Sequence, residues 1–102
     1  ANWTYQGVFY DGGPTNYFNM ECPGIFQFGS KYYLIFSDQS ISSEKTKLMH
    51  YRVSNSLNGP WSMPSGSGRI DGNAFYAAKA APDKYGDAYI FGWCFRRSGG
   101  TD

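Results

Sequence analysis

The sequence predicts an all-β chain of short antiparallel strands joined by tight turns. Three observations predict it: 20% of the 102 residues are aromatic, 13 residues are glycine, and apolar runs of strand length alternate with turn dipeptides such as Asp-Gly and Gly-Ser. Aromatic side chains favour strands, and glycine supplies the backbone conformations that tight turns need. A chain of this length is sufficient for one small domain.

The first part of the chain is predicted to hold a leading strand and a hairpin. Thr4–Tyr10 alternates loosely between apolar and polar residues and stops at the turn sequence DGGP. Gly24–Phe28 and Lys31–Ser37 are two strands separated by Gly29-Ser30, which fits the two-residue connection that hairpins favour. The polar segment Asp38–Thr46 has no periodicity, so it predicts a loop.

The remainder is predicted to hold one regular strand, one edge strand and a second hairpin. Lys47–Ser54 alternates in the manner of a half-buried strand, and Trp61-Ser62-Met63 predicts a short edge strand. Phe75–Ala81 and Ala88–Phe95 flank a polar turn and predict the second hairpin. A helix at Ala77–Ala81 is the alternative there, but it is too short to be stable alone.

Charge and cysteine content exclude several classes of function. The net charge is +1 and no long basic or acidic run occurs, which argues against nucleic acid or an anionic membrane as the main partner. No apolar run approaches the roughly 18 residues of a membrane span. Cys22 and Cys94 have no zinc-like spacing, so no metal or cofactor is expected, and buried free thiols are favoured over a disulfide.

An internal repeat is the most informative pattern. Lys31–Ser37 and Asp87–Trp93 share an aromatic-aliphatic-aromatic core, and their alignment gives a period of 55 residues. Each unit holds about four strands, which is typical of a β-propeller blade, and closed propellers have four to eight blades. The sequence therefore predicts about two blades, at residues 1–68 and, in part, 69–102. A fragment, an assembly of several copies and a small sandwich remain open.

Two segments resemble landmarks of a known family. NMECPGIFQFGSKYYLIFS (19–37) holds one carboxylate, Glu21, in an otherwise uncharged run, and it closely resembles the Glu-Cys-Pro strand of glycoside hydrolase family 32, the invertase, levanase and inulinase group. DGNAFYAAKAAPDKYGDAYIFGW (71–93) resembles the second landmark of that family. The resemblance implies a five-bladed propeller of four-stranded antiparallel blades. Residues 50–61 are also similar to family 43 arabinanases and xylosidases, which is the second choice.

The resemblance implies a role for Glu21 as the general acid/base. Retaining glycosidases use two carboxylates about 5–5.5 Å apart, one of which protonates the leaving oxygen. Apolar neighbours suit a carboxyl group that must carry a proton. An edge glutamate that faces solvent or pairs with Lys31 is the alternative. Asp71 is implied to bind sugar hydroxyls, although an Asp before glycine is equally typical of a turn.

Two aromatic residues complete the implied site, and one position departs from the family. Tyr76 lines the pocket or is a core aromatic, and Trp93 packs between blades or supports the sugar. The family commonly has Pro-Gln where this chain has Ala78-Lys79. The only histidine, His50, is interpreted as a strand residue rather than a catalytic one.

The family's nucleophile motif is absent from this sequence, and the resemblance places it before Glu-Cys-Pro. We therefore expect a portion of a glycosidase that hydrolyses O-glycosyl bonds of β-fructofuranosides and is inactive in isolation. The alternatives are a non-catalytic carbohydrate-binding fragment and a family 43-like arabinofuranosidase or xylosidase piece. The expected partners are an oligo- or polysaccharide, with missing blades or further copies on the open faces. A secreted or periplasmic location is expected by association with the family.

Overall fold

The structure, a computed structural model, describes residues 1–15, 17–39, 47–70 and 74–94. The described chain folds into five strands in two antiparallel sheets, without a helix, so the all-β prediction is confirmed. The first sheet has the order β1-β2-β3 and the second pairs β4 with β5. The strands are β1 (Met20–Phe28), β2 (Lys31–Gln39), β3 (Lys47–Ser54), β4 (Tyr76–Pro82) and β5 (Ala88–Trp93).

The first hairpin and the third strand follow the sequence prediction. Phe28 pairs with Lys31, so Gly29-Ser30 is the two-residue connection, and the φ of 58° at Gly29 is one that favours glycine. β3 has the predicted bounds. β1 begins at Met20, earlier than predicted, because its pairing with β2 resumes at Glu21 and Met20 after an interruption between Gly24 and Glu21. This β-bulge breaks the alternation from which strands are predicted.

One prediction about local structure is wrong, and one alternative is excluded. Thr4–Tyr10 is not a strand, and within the described residues it has no strand partner. Much of this segment is exposed, including Trp3 at 95%. Alternation of apolar and polar residues does not form a strand where no neighbouring strand supplies hydrogen bonds. The predicted second hairpin is confirmed: Ala77–Ala81 lie in β4, which pairs with β5, so the alternative helix does not form. Residues 40–46 of the predicted loop lie outside the described residues.

The predicted edge strand is reduced to isolated bridges along the outer side of β3. Ser62 exchanges two backbone hydrogen bonds with Val53, at 3.0 and 2.9 Å. Farther along, Arg69 bridges to His50. The turn between the two bridges prevents a continuous ladder. The first sheet therefore consists of three regular strands with an interrupted fourth edge.

The core lies between the two sheets. Ile35, Met49 and Ala78 are almost completely buried and form its centre. Partly buried side chains from both sheets and from the chain between them pack around these three: Phe26, Tyr51, Ile70, Phe75, Ala80 and Ile90. One sheet face thus packs on the next sheet, as neighbouring blades of a propeller do.

The opposite face of the first sheet carries a buried arginine. Arg52 is 1% exposed, and its Nε donates to the Tyr10 hydroxyl at 2.7 Å while Nη2 donates to the Tyr17 hydroxyl. The guanidinium carbon lies 5.4 Å from the centroid of the Phe36 ring. The two hydrogen bonds therefore hold the irregular N-terminal segment against the sheet, while the cation–π contact lies within the sheet itself.

Both cysteines differ from the sequence prediction. Cys22 and Cys94 are free thiols, as expected, but both are exposed rather than buried. Cys22 lies in the bulge of β1, and Cys94 follows the last residue of β5, so neither takes part in the regular alternation that buries side chains. Among the described residues, no helix is long and apolar enough to cross a bilayer.

Candidate functional site

Glu21 projects from a bulge at the start of β1. Its backbone pairs with Ser37 of β2, after which the register breaks until Gly24. Cys22, the next residue, has a φ of 50°, which is rare for a residue other than glycine. Bulges re-aim side chains, and they are common beside active sites. The half-buried Glu21 is the last paired residue before this bulge.

Two side chains hold the Glu21 carboxylate. Asn19 donates from Nδ2 to Oε1 at 2.6 Å, and the Tyr76 hydroxyl donates to Oε2. Pairing with Lys31 is not observed, because the Lys31 ammonium lies at the other end of the hairpin and donates to Asn55. Hydrogen bonds to both oxygens fix the orientation of the carboxylate, as a positioned proton donor or acceptor requires.

Tyr76 occupies the same place in the second sheet that Glu21 occupies in the first. The two residues are 55 positions apart, and the pairing of β4 with β5 breaks between Tyr76 and Lys79. Ala77 has a φ of 53°, matching the value at Cys22. The internal repeat therefore reproduces the bulge itself, and the two bulges bring a carboxylate and a phenol into contact.

The repeat shifts by one residue after the bulges. Gly24 pairs with Ile35, whereas Lys79, its counterpart, pairs with Phe91. Ile35 therefore corresponds to Phe91 by pairing, not to the Ile90 of the sequence alignment. The connection between β4 and β5 is longer than Gly29-Ser30 and absorbs this difference.

The environment keeps the Tyr76 hydroxyl protonated. Burial raises the pKa of Tyr76 far above its usual value of 10, and the hydrogen bond to Glu21 and the negative charge of Glu21 raise it further. The Tyr76 side chain is 7% exposed. Near neutral pH this phenol is therefore a hydrogen-bond donor to the carboxylate and not a base.

Trp93 extends the site toward solvent. It pairs with Tyr76 in the ladder, and the two rings meet edge to face with centroids 6.5 Å apart. The Lys47 ammonium lies 4.8 Å from the Trp93 ring centroid. Trp93 is 39% exposed, so part of the indole is accessible to solvent. Such a ring can stack against the apolar face of a sugar or pack against another part of the protein.

The two bulges are tied together by reciprocal contacts. The buried Ser37 hydroxyl accepts the Ala77 N–H at 2.9 Å and lies 3.0 Å from the Met49 sulfur. In the other direction, the Lys79 ammonium donates to the carbonyls of Cys22 and Pro23 at 3.1 and 2.7 Å. Each sheet therefore satisfies backbone groups that the bulge of the other sheet removes from its ladder.

The structure brings together three of the four predicted site residues. Glu21, Tyr76 and Trp93 form one row, whereas Asp71 lies outside the described residues. Sequence reasoning missed the supporting residues Asn19 and Ser37. The period of the repeat contained a usable indication, because one period after Glu21 is Tyr76. Among the described residues, no group of three His, Cys, Asp or Glu side chains could hold a metal ion.

His50 belongs to the packed face of the first sheet. Its ring stacks on Phe36 at 5.5 Å and meets the edge of Tyr17 at 5.0 Å. Nε2 lies 3.5 Å from an Asp38 carboxylate oxygen. Burial lowers the pKa of His50, and the neighbouring Asp38 charge partly opposes this effect. These contacts are those of a packed strand residue.

Comparison with known proteins gives the family of the chain. The family described as "Glycosyl hydrolases family 32 N-terminal domain" matches residues 1–98. A protein named sucrose-6-phosphate hydrolase, from Escherichia coli, is 29% identical over 98 residues, covering 89% of this chain. The chain spans only 20% of that relative's length. No solved structure gives a significant match. The chain belongs to glycoside hydrolase family 32, and its two stacked sheets are part of the β-propeller of that family's N-terminal domain.

Proposed function

We propose that the chain is part of a glycosidase acting on β-fructofuranosides, in which Glu21 is the general acid/base. The observation that carries the proposal is the position of Glu21: a half-buried carboxylate in a bulge, held at both oxygens by Asn19 and Tyr76. Membership of family 32 supports the reaction class. The exposed indole of Trp93, next to Tyr76, provides an adjacent surface for a sugar ring.

The proposed reaction uses Glu21 twice. Its carboxyl proton passes to the glycosidic oxygen as the bond from that oxygen to the anomeric carbon breaks and the second carboxylate of the reaction bonds to that carbon. The Glu21 carboxylate then removes a proton from the water that attacks the anomeric carbon and displaces the second carboxylate. The hydrogen bonds from Asn19 and Tyr76 stabilise the carboxylate formed in the first step and keep it aimed for the second.

The second carboxylate of the reaction is proposed to come from residues outside this sequence. The family's nucleophile motif does not occur in the 102 residues, and the relative is about five times as long as the matched part. A retaining mechanism needs both carboxylates about 5–5.5 Å apart. We therefore expect no turnover by the 102-residue chain alone.

Glu21→Gln in the longest protein that contains this chain tests the proposal. Removal of a general acid typically lowers the rate by about 10²–10⁴-fold. We expect that loss on sucrose, sucrose 6-phosphate, inulin and levan, and a much smaller loss on an aryl fructoside whose leaving group needs no proton. Aryl arabinofuranosides test the family 43-like alternative. Asp87→Asn, at an exposed turn, is the matched control and should leave all rates unchanged. An equal loss on every substrate would contradict the role of Glu21.

Sugar binding without catalysis is the second candidate, because Trp93 is part-exposed and adjoins the carboxylate. Titration of the 102-residue chain with fructans and arabinans should then change its tryptophan fluorescence. Trp3 and Trp61 also contribute to that signal, so Trp93→Phe is needed to assign it. No change at millimolar sugar, with Trp93 present, would contradict this candidate.

We also propose that a further blade covers the outer face of the second sheet. Tyr89 and Phe91 stack on each other there and are 52% and 65% exposed. The corresponding face of the first sheet, at Tyr33 and Ile35, packs against the second sheet or borders the groove between them. A monodisperse longer protein beside a self-associating 102-residue chain would agree with this proposal. A strictly monomeric short chain would argue against open, adhesive faces.

A further inference from the structure

We infer that Lys79 is a positioning residue for Glu21, holding the bulge from which the carboxylate projects. The inference rests on the proposed function of Glu21. Lys79 lies where the chain departs from the common pattern of its family. Its contacts with the main chain of the Glu21 bulge give the lysine a structural role there.

The Lys79 ammonium replaces ladder hydrogen bonds that the bulge removes. The pairing of β1 with β2 passes from Glu21 directly to Gly24, so the described ladder gives the two intervening residues no partner. Lys79 Nζ lies 3.1 Å from the Cys22 carbonyl oxygen and 2.7 Å from the Pro23 carbonyl oxygen. One ammonium group thus donates a hydrogen bond to both carbonyl oxygens, and hydrogen bonds from a charged donor are stronger than neutral ones.

This contact acts on the backbone next to the carboxylate. Cys22 follows Glu21 directly and holds a φ of 50°, a conformation that persists only where the surroundings enforce it. The bulge sets the direction of the Glu21 side chain. If the two carbonyls lost their donor, the bulge would have other conformations available, and the carboxylate would lose its alignment with a substrate.

The other contacts between the bulges act at different points. Ser37 binds the Ala77 N–H and so fixes the bulge of β4. The Tyr76 hydroxyl binds the Glu21 carboxylate at its tip. Only the contact from Lys79 fastens the main chain of the Glu21 bulge to the second sheet among the hydrogen bonds of the described residues. It is therefore the contact whose loss should misplace Glu21 while leaving Tyr76 in place.

The experiment compares Lys79→Met with Lys84→Met in the longest protein that contains this chain. Lys84 is an exposed lysine in the turn after β4 and lies over the Tyr85 ring, so it controls for loss of charge. A misplacement near 1 Å can lower a rate about 10²-fold. For Lys79→Met we expect kcat on sucrose to fall about 10–100-fold, with little change in KM. The loss should be much smaller on an aryl fructoside with a good leaving group. Lys79→Arg, which keeps a cationic donor, should retain most of the activity.

Amide hydrogen exchange supplies a readout that does not depend on activity. Exchange at Gly24, the first residue that pairs with β2 after the bulge, should accelerate in Lys79→Met and stay unchanged in Lys84→Met, while the β2–β3 ladder remains protected. If Lys79→Met does not fold, Lys79→Gln takes its place with the same readouts.

Unchanged exchange at Gly24, or equal rate losses on both substrates, would overturn the inference. If Glu21→Gln keeps full activity, the proposed function fails instead, and the exchange rates alone then decide whether Lys79 holds the bulge.

Discussion

Gly92 of β5 lies where the second sheet leaves no space for a side chain. A Cβ atom at this position would lie 2.5 and 2.7 Å from two ring carbons of Phe75 and 2.9 Å from the Cβ of Ala78. Contacts under 3.0 Å essentially never occur for a real Cβ. Gly92→Ala therefore forces Phe75, or the strand itself, to move away from the core.

Gly24 of β1 is a strand glycine in the first sheet that serves as the comparison. A Cβ there would meet Ile35 Cγ1 at 3.5 Å, an ordinary van der Waals contact. Overpacking a core costs about 1–3 kcal/mol, whereas alanine in place of a compatible glycine stabilises by about 0.4–1 kcal/mol. We therefore expect the free energy of unfolding of Gly92→Ala to lie about 1.5–4 kcal/mol below that of Gly24→Ala. The total for a small domain is only about 5–15 kcal/mol.

Urea unfolding of the chain, followed by tryptophan fluorescence and circular dichroism, measures this difference. Gly92→Ala should lower the midpoint without changing the slope, since the same surface is exposed on unfolding. Two results would refute the reasoning. A Gly92→Ala midpoint equal to that of wild type would mean that β5 does not pack closely on Phe75. Equal destabilisation by Gly24→Ala would mean that glycine flexibility, rather than space, is responsible.

Two further predictions concern buried polar groups of the first sheet. Ser37→Ala leaves the Ala77 N–H without its acceptor and should lower the free energy of unfolding by about 1–3 kcal/mol. The Ser54 hydroxyl accepts a hydrogen bond from an accessible turn, so Ser54→Ala should lower that free energy less. Equal urea midpoints for the two variants would contradict this prediction. The folded pKa of His50 is lowered, mainly by burial and against the opposing charge of Asp38, so the unfolded chain binds more protons. The contribution of neutral His50 to the free energy of unfolding should therefore be fully present above the unfolded pKa of about 6.5 and fall as the pH drops below it, by at most about 1.4 kcal/mol per pH unit. Thermal melts of His50→Gln at several pH values should lack this slope. An unchanged slope would exclude His50 as its source.

Local features of the fold were predictable from the sequence, whereas features that depend on a neighbour were not. The Gly29-Ser30 turn and the bounds of β3 follow from turn chemistry and alternation within a few residues. Thr4–Tyr10 has a similar alternation but no strand beside it, and alternation does not reveal whether a partner exists. The exposed Cys22 was missed because its burial depends on the bulge.

The candidate site shows the same division. Glu21 stood out because a carboxylate in an apolar strand is rare, and its motif carried the family resemblance. The contact from Tyr76 spans 55 positions, so no local pattern contains it. Lys79 was recognised only as a departure from the family. Its actual contact, with two main-chain carbonyls, leaves no mark in the sequence, since any long donor could reach them.

The paired bulges have a consequence for how new chemistry could be introduced into this scaffold. The two bulges share a backbone feature: the residues that follow Glu21 and Tyr76 have φ values of 50° and 53°, while the side chains at Glu21 and Tyr76 differ. Because these two side chains meet, Tyr76→Glu would place two carboxylates where a carboxylate and a phenol now share a hydrogen bond. Such a dyad holds one proton between two acids and separates their affinities for it. The side chain at either of the two repeated bulges could therefore be replaced by another functional group while the backbone contacts between the bulges are kept.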